Sequence, residues 1–184
     1  RALQAGYRLI DTAAIYGNEA GVGRAVRDAQ VPRDEIVLTT KLWNDRQGRD
    51  ETRRAFDESL QRLGLSYVDL YLIHWPCPQR RLFVETWKTL IQLREEGRAK
   101  SIGVSNFTPE HIATLIGETG VAPAVNQIEL HPHFQRKAPR ADDSSRGIVT
   151  ESWSPLGQGK ELNDPVIVAI AKAHGKSPAQ VVLR

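Results

Sequence analysis

The chain has 184 residues, of which 40% are hydrophobic and 26% charged, and its net charge is +3. A chain of this length and composition buries a sizeable core, which excludes a disordered protein, and no apolar run is long enough to cross a membrane. Acidic residues are interspersed with the basic ones, so we expect neither nucleic acid nor a membrane as a partner. The single Cys77 excludes an internal disulfide and indicates a reducing, cytoplasmic location.

Short β-branched runs alternate with amphipathic stretches along the chain. The runs are almost continuously apolar, which is typical of parallel strands covered on both faces. They predict six strands: RLIDTA, EIVLTTKL, YVDLYLIHW, SIGVSN, AVNQIEL and GIVTESW.

Helical patterns lie between these strands. Asn18 is the predicted cap of a helix through EAGVGRAVRDA, and Gly64 and Gly97 end the next two helical segments. Thr108 and Ser177 each precede a proline, which is the pattern of a capping residue followed by proline in the first helical turn.

The segment 135–147, QRKAPRADDSSRG, stands where a helix should connect the last two strands. It has almost no apolar residues and a proline in its middle, so it offers no apolar face to pack on a sheet. We therefore predict a loop here.

Regular strand–helix alternation predicts an α/β fold, either an open doubly wound sheet or a (β/α)8 barrel. A barrel has eight strands in about 250 residues, so six strands fall short by about one strand–helix unit at each end. The chain also lacks Met altogether. We expect a single domain over residues 1–184 that is incomplete at both ends.

Polar side chains stand at the carboxyl ends of these apolar strands, where the catalytic residues of barrels lie. In chain order they are Asp11, Lys41, His74, Ser105, Asn106, Gln127, Glu129, Ser152 and Ser154. Tyr16 follows the first strand closely. Barrel geometry gathers such strand ends into one cleft.

A Tyr, a Lys, an Asp and a His in one cleft form a proton-donating group. We expect the Lys41 ammonium to lower the pKa of Tyr16, and Asp11 to hold that ammonium in place. A neutral His74 hydrogen-bonds a carbonyl oxygen. Taken singly, each residue also fits a structural role: a helix cap, a surface lysine, a core histidine and a packing tyrosine. Their joint placement favours catalysis.

Six segments resemble, in order and spacing, the signatures of the aldo–keto reductases. They are GYRLIDTAAIYGNEAGVG, TTKLW, DLYLIHWP, GRAKSIGVSNF, AVNQIELHP and ESWSPLGQGK, and the resemblance extends from about residue 5 to 184. At Trp153, where many members carry Tyr, the sequence resembles the bacterial branch that includes 2,5-diketo-D-gluconate reductases. The resemblance implies a (β/α)8 TIM barrel, here lacking the first and eighth strands, in a monomeric enzyme that binds NADPH.

The resemblance also implies roles for individual residues. The four catalytic positions are Asp11, Tyr16, Lys41 and His74. Those that bind the cofactor are Ser105, Asn106 and Gln127 at the nicotinamide carboxamide, Trp153 stacked on its ring, and Ser154, Leu156 and Gly157 around the pyrophosphate. Trp43 and Trp75 line the pocket for a small carbonyl substrate. No metal is implied, and the choice of NADPH over NADH rests on the resemblance alone.

The expected reaction is reduction of an aldehyde or ketone to an alcohol, with hydride from NADPH and a proton from Tyr16. Two alternatives remain. A metal-dependent barrel hydrolase would use Asp11, His74, His131 and His133. A redox-sensing module would bind NADP without significant turnover.

Overall fold

The computed structural model describes residues 1–184, and contacts between Cα atoms divide them into two compact units, Arg1–Val125 and Asn126–Arg184. All six predicted strands are present, and all but the fourth are a little shorter than their apolar runs. No helix combines the length and the low charge that a membrane span needs.

Four strands build the sheet of the first unit. They are β1 (Leu9–Asp11), β2 (Val37–Leu42), β3 (Val68–Ile73) and β4 (Ala99–Ser105), parallel and adjacent in chain order. Asp11 is opposite Thr39, and Lys41 is opposite Leu72. Parallel pairing in this register brings the carboxyl ends of the four strands to the same edge.

Four helices accompany these strands: α1 (Glu19–Arg27), α2 (Arg49–Leu63), α3 (Phe83–Glu95) and α4 (Pro109–Thr119). Each buries one face. In α2 that face carries Phe56, Leu60 and Leu63, and Trp87 of α3 is fully buried while its indole N–H donates to the carbonyl of Val121. Short 3-10 turns, Ala14–Tyr16 among them, follow the strand ends.

The predicted helix ends are mostly confirmed. Gly64 ends α2 in the left-handed conformation, with φ of 64°. The Thr108 side chain accepts a hydrogen bond from the His111 amide in a capping box. Asn18 does precede α1, but its side chain makes no cap: its Oδ1 instead accepts a 2.6 Å hydrogen bond from Thr12 Oγ1. That bond ties the start of α1 to the residue after β1.

The second unit contains two neighbouring strands, β5 (Val125–Glu129) and β6 (Val149–Trp153), of which β5 begins at the last residue of the first unit. Its helices are α5 (Lys137–Ser145), α6 (Pro165–His174) and α7 (Pro178–Val182). Asp164 caps α6 by accepting from the amides of Val166 and Ile167, and Ser177 caps α7 as predicted.

The prediction of a loop at 135–147 is wrong, because residues Lys137–Ser145 form helix α5. Pro139 lies in the first turn, where its missing N–H costs no helical hydrogen bond. The helix has an anchor of a different kind: Asp143 is 1% exposed, and its carboxylate accepts from Asn126 Nδ2 of β5 and from Thr150 Oγ1 of β6. A polar contact thus replaces the apolar face that the sequence lacks.

Candidate active site

Lys41 is the centre of the polar cluster in the first unit. It lies on β2 with its side chain fully buried, and its Nζ is 2.5 Å from Asp11 Oδ2 and 3.0 Å from the carbonyl oxygen of Thr12. Burying an ammonium is unfavourable unless a counter-charge accompanies it. The carboxylate at the end of β1 supplies that charge and fixes the ammonium at the sheet edge.

Tyr16 stands at the end of the 3-10 turn that follows β1. Its ring centroid is 5.4 Å from Lys41 Nζ, and the side chain remains half exposed. Burial and the negative charge of Asp11 raise the pKa of the phenol. The expected lowering by Lys41 is therefore wrong for this structure, because burial of the phenol and the charge of Asp11 outweigh it. The phenol is held protonated and accessible, as a proton donor must be.

His74 follows β3 directly. Its ring contacts Tyr16 edge to face, with centroids 5.9 Å apart, and it contacts Trp43 in the same way at 5.1 Å. Burial and the charge of Lys41 lower the pKa of the imidazole to about 4, so the ring is neutral at pH 7. A neutral imidazole retains one N–H donor. The structure therefore brings all four predicted catalytic residues together.

Trp43 and Trp75 lie in the loops after β2 and β3, close in sequence to Lys41 and His74. Trp75 is 41% exposed. Its backbone carbonyl accepts a 2.7 Å hydrogen bond from Nε2 of the buried Gln47, and Arg80 donates in return to the carbonyls of Asn44 and Asp45. These bonds hold the loop after β2 against the loop after β3.

Ser105 ends β4, Asn106 follows it, and both belong to the same cluster. Asn106 has a left-handed backbone, with φ of 63°. Its Nδ2 donates to the backbone carbonyl of His74 and to Ser105 Oγ, both at 3.0 Å. The Asn106 side chain, which is predicted to bind a cofactor, thus also holds the backbone of His74, which is predicted to orient the carbonyl.

The remaining predicted cofactor residues lie in the second unit. Gln127 is buried on β5, and its Nε2 donates to Glu151 Oε1 on β6 at 3.0 Å. Trp153 is the last residue of β6. The chain then turns sharply, with positive φ at Ser154, Gly157, Gln158 and Gly159.

This turn, residues 154–159, is called the glycine turn below. The amide of Gly157 donates to the carbonyl of Ser154, and that of Gly159 to the carbonyl of Leu156. A Cβ atom built on Gly157 would lie 2.5 Å from Glu161 Cγ, so only glycine fits. Turns that contain left-handed residues of this kind can form concavities that bind anions.

Three residues that hydrogen-bond to predicted site residues were not predicted from the sequence: Thr12, Gln47 and Glu151. Thr12 acts through a backbone carbonyl, which no side-chain pattern reveals. Glu151 carried a signal, because it lies two residues before Trp153 and therefore shares a face of β6 with it. His131 and His133 do not form a metal site: no group of three or more His, Cys, Asp and Glu side chains is arranged to hold a metal ion.

Buried Lys41, its carboxylate partner, a protonated phenol and a neutral imidazole at the carboxyl edge of a parallel sheet define a site for proton transfer to an oxygen atom. The family model of the Aldo/keto reductase family matches residues 1–184. The chain belongs to this family. Its fold is accordingly that of a (β/α)8 barrel with six of the eight strands, which confirms the predicted fold class and the resemblance.

Curated relatives match over the whole chain. An aldo-keto reductase of Mycolicibacterium smegmatis is 61% identical over 183 residues, which are 100% of this chain and 66% of that protein. The methylglyoxal reductase DkgA of Yersinia pestis is 52% identical over 186 residues, again 100% of this chain and 66% of the relative. The chain thus spans about two thirds of the length of the curated relatives it matches.

Solved structures of aldo-keto reductases are similar to this chain in fold. An aldo/keto reductase from Brucella melitensis is 58% identical with a TM-score of 0.96, covering 99% of this chain and 69% of that one. The Bombyx mori aldo-keto reductase in complex with NADP is 39% identical with a TM-score of 0.90, covering 99% and 66%. A protein described as a candidate 2,5-diketo-D-gluconic acid reductase B is 36% identical with a TM-score of 0.93, covering 100% and 65%.

Proposed function

We propose that this protein reduces aldehydes or ketones to alcohols with NADPH, and that Tyr16 donates the proton. The observation that carries the proposal is the cluster around Lys41: Asp11 at 2.5 Å from the buried ammonium, the Tyr16 ring at 5.4 Å and the Tyr16 and His74 rings 5.9 Å apart. Membership of the Aldo/keto reductase family supports it.

The residues of the second unit fit a dinucleotide. The glycine turn has left-handed backbone at four of its six residues, a conformation that forms anion-binding concavities and suits a pyrophosphate. The residues proposed to hold the cofactor are Ser105, Asn106, Gln127, Trp153, Ser154, Leu156 and Gly157. When bound, NADPH supplies the hydride that adds to the carbonyl carbon. The Bombyx mori relative was solved in complex with NADP, which supports this choice.

Tyr16 completes the reduction on the oxygen side. Its O–H transfers a proton to the carbonyl oxygen, so that the alcohol carries the hydride on carbon and the proton on oxygen. The raised pKa favours the protonated phenol before the reaction. The Lys41 ammonium, which Asp11 and the Thr12 carbonyl hold in place, favours the phenolate that remains, although burial and Asp11 together outweigh this effect on the pKa of the phenol.

His74 acts on the same oxygen. Because its pKa is about 4, the imidazole is neutral and donates one hydrogen bond that orients and polarises the carbonyl without a competing charge. Trp43, in edge-to-face contact with that ring, and Trp75 are proposed as walls of the substrate pocket. The Yersinia pestis relative is named a methylglyoxal reductase, which makes methylglyoxal a suitable first substrate.

Replacing Tyr16 with Phe tests the proposal. Without the O–H we expect kcat for methylglyoxal to fall by about 10²–10⁴-fold, the usual contribution of a general acid. NADPH binding, followed by tryptophan fluorescence, should change less than about twofold. Tyr7→Phe is the matched control, since Tyr7 is 64% exposed and outside the site. It should behave as the wild-type protein does.

Three outcomes would count against the proposal. Turnover close to wild type in Tyr16→Phe would exclude Tyr16 as the proton donor. Fluorescence quenching by NADPH with no turnover on any aldehyde would indicate a redox-sensing module instead. Loss of activity on chelation would favour the hydrolase.

A further inference from the structure

Glu161 is a buried carboxylate that the proposed reaction does not use. It lies in the segment Gly157–Asn163, which begins within the glycine turn and leads to α6, and the residue is only 2% exposed. A buried carboxylate is unfavourable unless it is paired or hydrogen-bonded. Its surroundings therefore indicate what the side chain does.

Two imidazoles from the loop after β5 face this carboxylate. His131 Nδ1 lies 2.8 Å from Glu161 Oε1, and His133 Nδ1 lies 3.1 Å from Oε2. The second ring also reaches α6, because His133 Nε2 lies 3.0 Å from Oδ2 of Asp164, which caps that helix. On its other side His131 Nε2 is 3.8 Å from Glu129. Both imidazoles thus lie between carboxylates.

The stem of Glu161 packs against the glycine turn. A Cβ on Gly157 would come within 2.5 Å of Glu161 Cγ and 2.8 Å of Oε1, so the side chain lies directly behind the Gly157 backbone. One side chain therefore contacts the loop after β5 through its carboxylate and the glycine turn through its methylenes. The positive φ angles of the turn are strained for Ser154 and Gln158, and such backbone keeps its form only where its surroundings hold it.

We infer that Glu161, held by His131 and His133, is a positioning residue that keeps the glycine turn in the form that receives a pyrophosphate. This inference rests on the proposed function for the identity of the ligand, but the ordering of the turn does not depend on it. The His131–His133–Glu161 group is called the clamp below.

Hydrogen exchange without cofactor tests the ordering of the turn. In Glu161→Ala the clamp is lost, and we expect the amides of residues 156–160 to exchange at least about tenfold faster, while those of α7 keep their wild-type rates. Glu161→Gln keeps the shape but lacks the charge and should be intermediate. Asn163→Ala is the matched control, since Asn163 is exposed in the same segment. Unchanged exchange at 156–160 in Glu161→Ala would overturn the inference, whether or not NADPH binds.

Cofactor release gives the second readout. We expect NADPH to dissociate about tenfold faster from Glu161→Ala in stopped-flow fluorescence, with kcat at saturating NADPH no lower than in wild type. In a double-mutant cycle, Glu161→Gln should add less than about twofold once His131 and His133 are both Gln, because the clamp is already broken. Effects that multiply would show that the three residues act independently and would contradict the clamp. A wild-type protein that binds no NADPH would instead contradict the proposed function, and the exchange experiment would still decide the clamp.

Discussion

At the scale of single residues, the site depends on one buried charge. Lys41 has no exposed side-chain surface, and the Asp11 carboxylate beside it is 30% exposed. The same carboxylate raises the pKa of Tyr16. Asp11 therefore has two effects: it keeps the ammonium in place and, together with burial, it raises the pKa of the phenol. Both are properties of the folded site rather than of any residue alone.

Removing Asp11 should cost stability as well as activity. Asp11→Ala leaves the buried Lys41 ammonium without a counter-charge, and we expect the free energy of unfolding to fall by about 3 kcal/mol. In Asp11→Ala/Lys41→Met no charge remains, so part of that loss should be recovered. Urea unfolding of the two variants and wild type measures both values. A double variant less stable than the single one would contradict this account.

His74 makes stability depend on pH. Its pKa is lowered to about 4 in the folded protein, against an ordinary value of about 6.5 in the unfolded chain. The unfolded chain therefore binds the proton first, and stability should fall as pH drops from about 6.5 towards 4. After allowance for solvent screening we expect a loss of up to about 2 kcal/mol. His74→Gln cannot titrate here, so the difference in urea unfolding between the two proteins at pH 7 and pH 4.5 isolates the effect.

At the scale of elements, the strands and the caps at Thr108 and Ser177 followed from local pattern, because burial and capping are properties of short segments. Helix α5 did not. Its docking depends on Asp143 meeting Asn126 and Thr150, a match between three polar residues of different elements that no periodicity reveals. The direction of the Tyr16 pKa failed for a related reason: the charges of Lys41 and Asp11 were predictable, but the burial of the phenol, the largest cause of the raised pKa, depends on the folded surroundings.

Substitution of two neighbouring carboxylates on α5 tests whether Asp143 holds this helix in place. Asp143→Ala leaves the Asn126 and Thr150 donors without their acceptor in a buried place, and we expect a loss of about 2–3 kcal/mol. Amides of Lys137–Ser145 should also exchange faster. Asp142→Ala removes a pairing with Arg146, the residue that follows the helix, at 2.9 Å, and should cost less than about 1 kcal/mol. Equal losses from the two substitutions would mean that α5 is held by something other than Asp143.

At the scale of the whole molecule, the strands differ in how far their side chains are buried. On β3 five of six residues are buried, whereas Leu9 of β1 is 49% exposed and Val149 of β6 is 62% exposed. Strands that lie in the middle of a sheet have both rows of backbone groups paired, as β3 does between β2 and β4. Poorly covered strands open more readily. The chain should therefore have a gradient of stability from β3 outwards.

Hydrogen exchange of the native chain measures that gradient. We expect amides of Val68–Ile73 to be protected about 100-fold more than those of Leu9–Asp11 and Val149–Trp153, since opening β1 or β6 exposes little additional apolar surface. A chain of the length of its relatives, carrying all eight strands of the barrel, is the matched comparison. There β1 and β6 gain neighbours, and their protection should approach that of β3. Equal protection of β1 and β3 in the 184-residue chain would show that exposure of Leu9 and Val149 does not govern local opening, and that Asp11 sits on a strand as firmly held as that of Lys41.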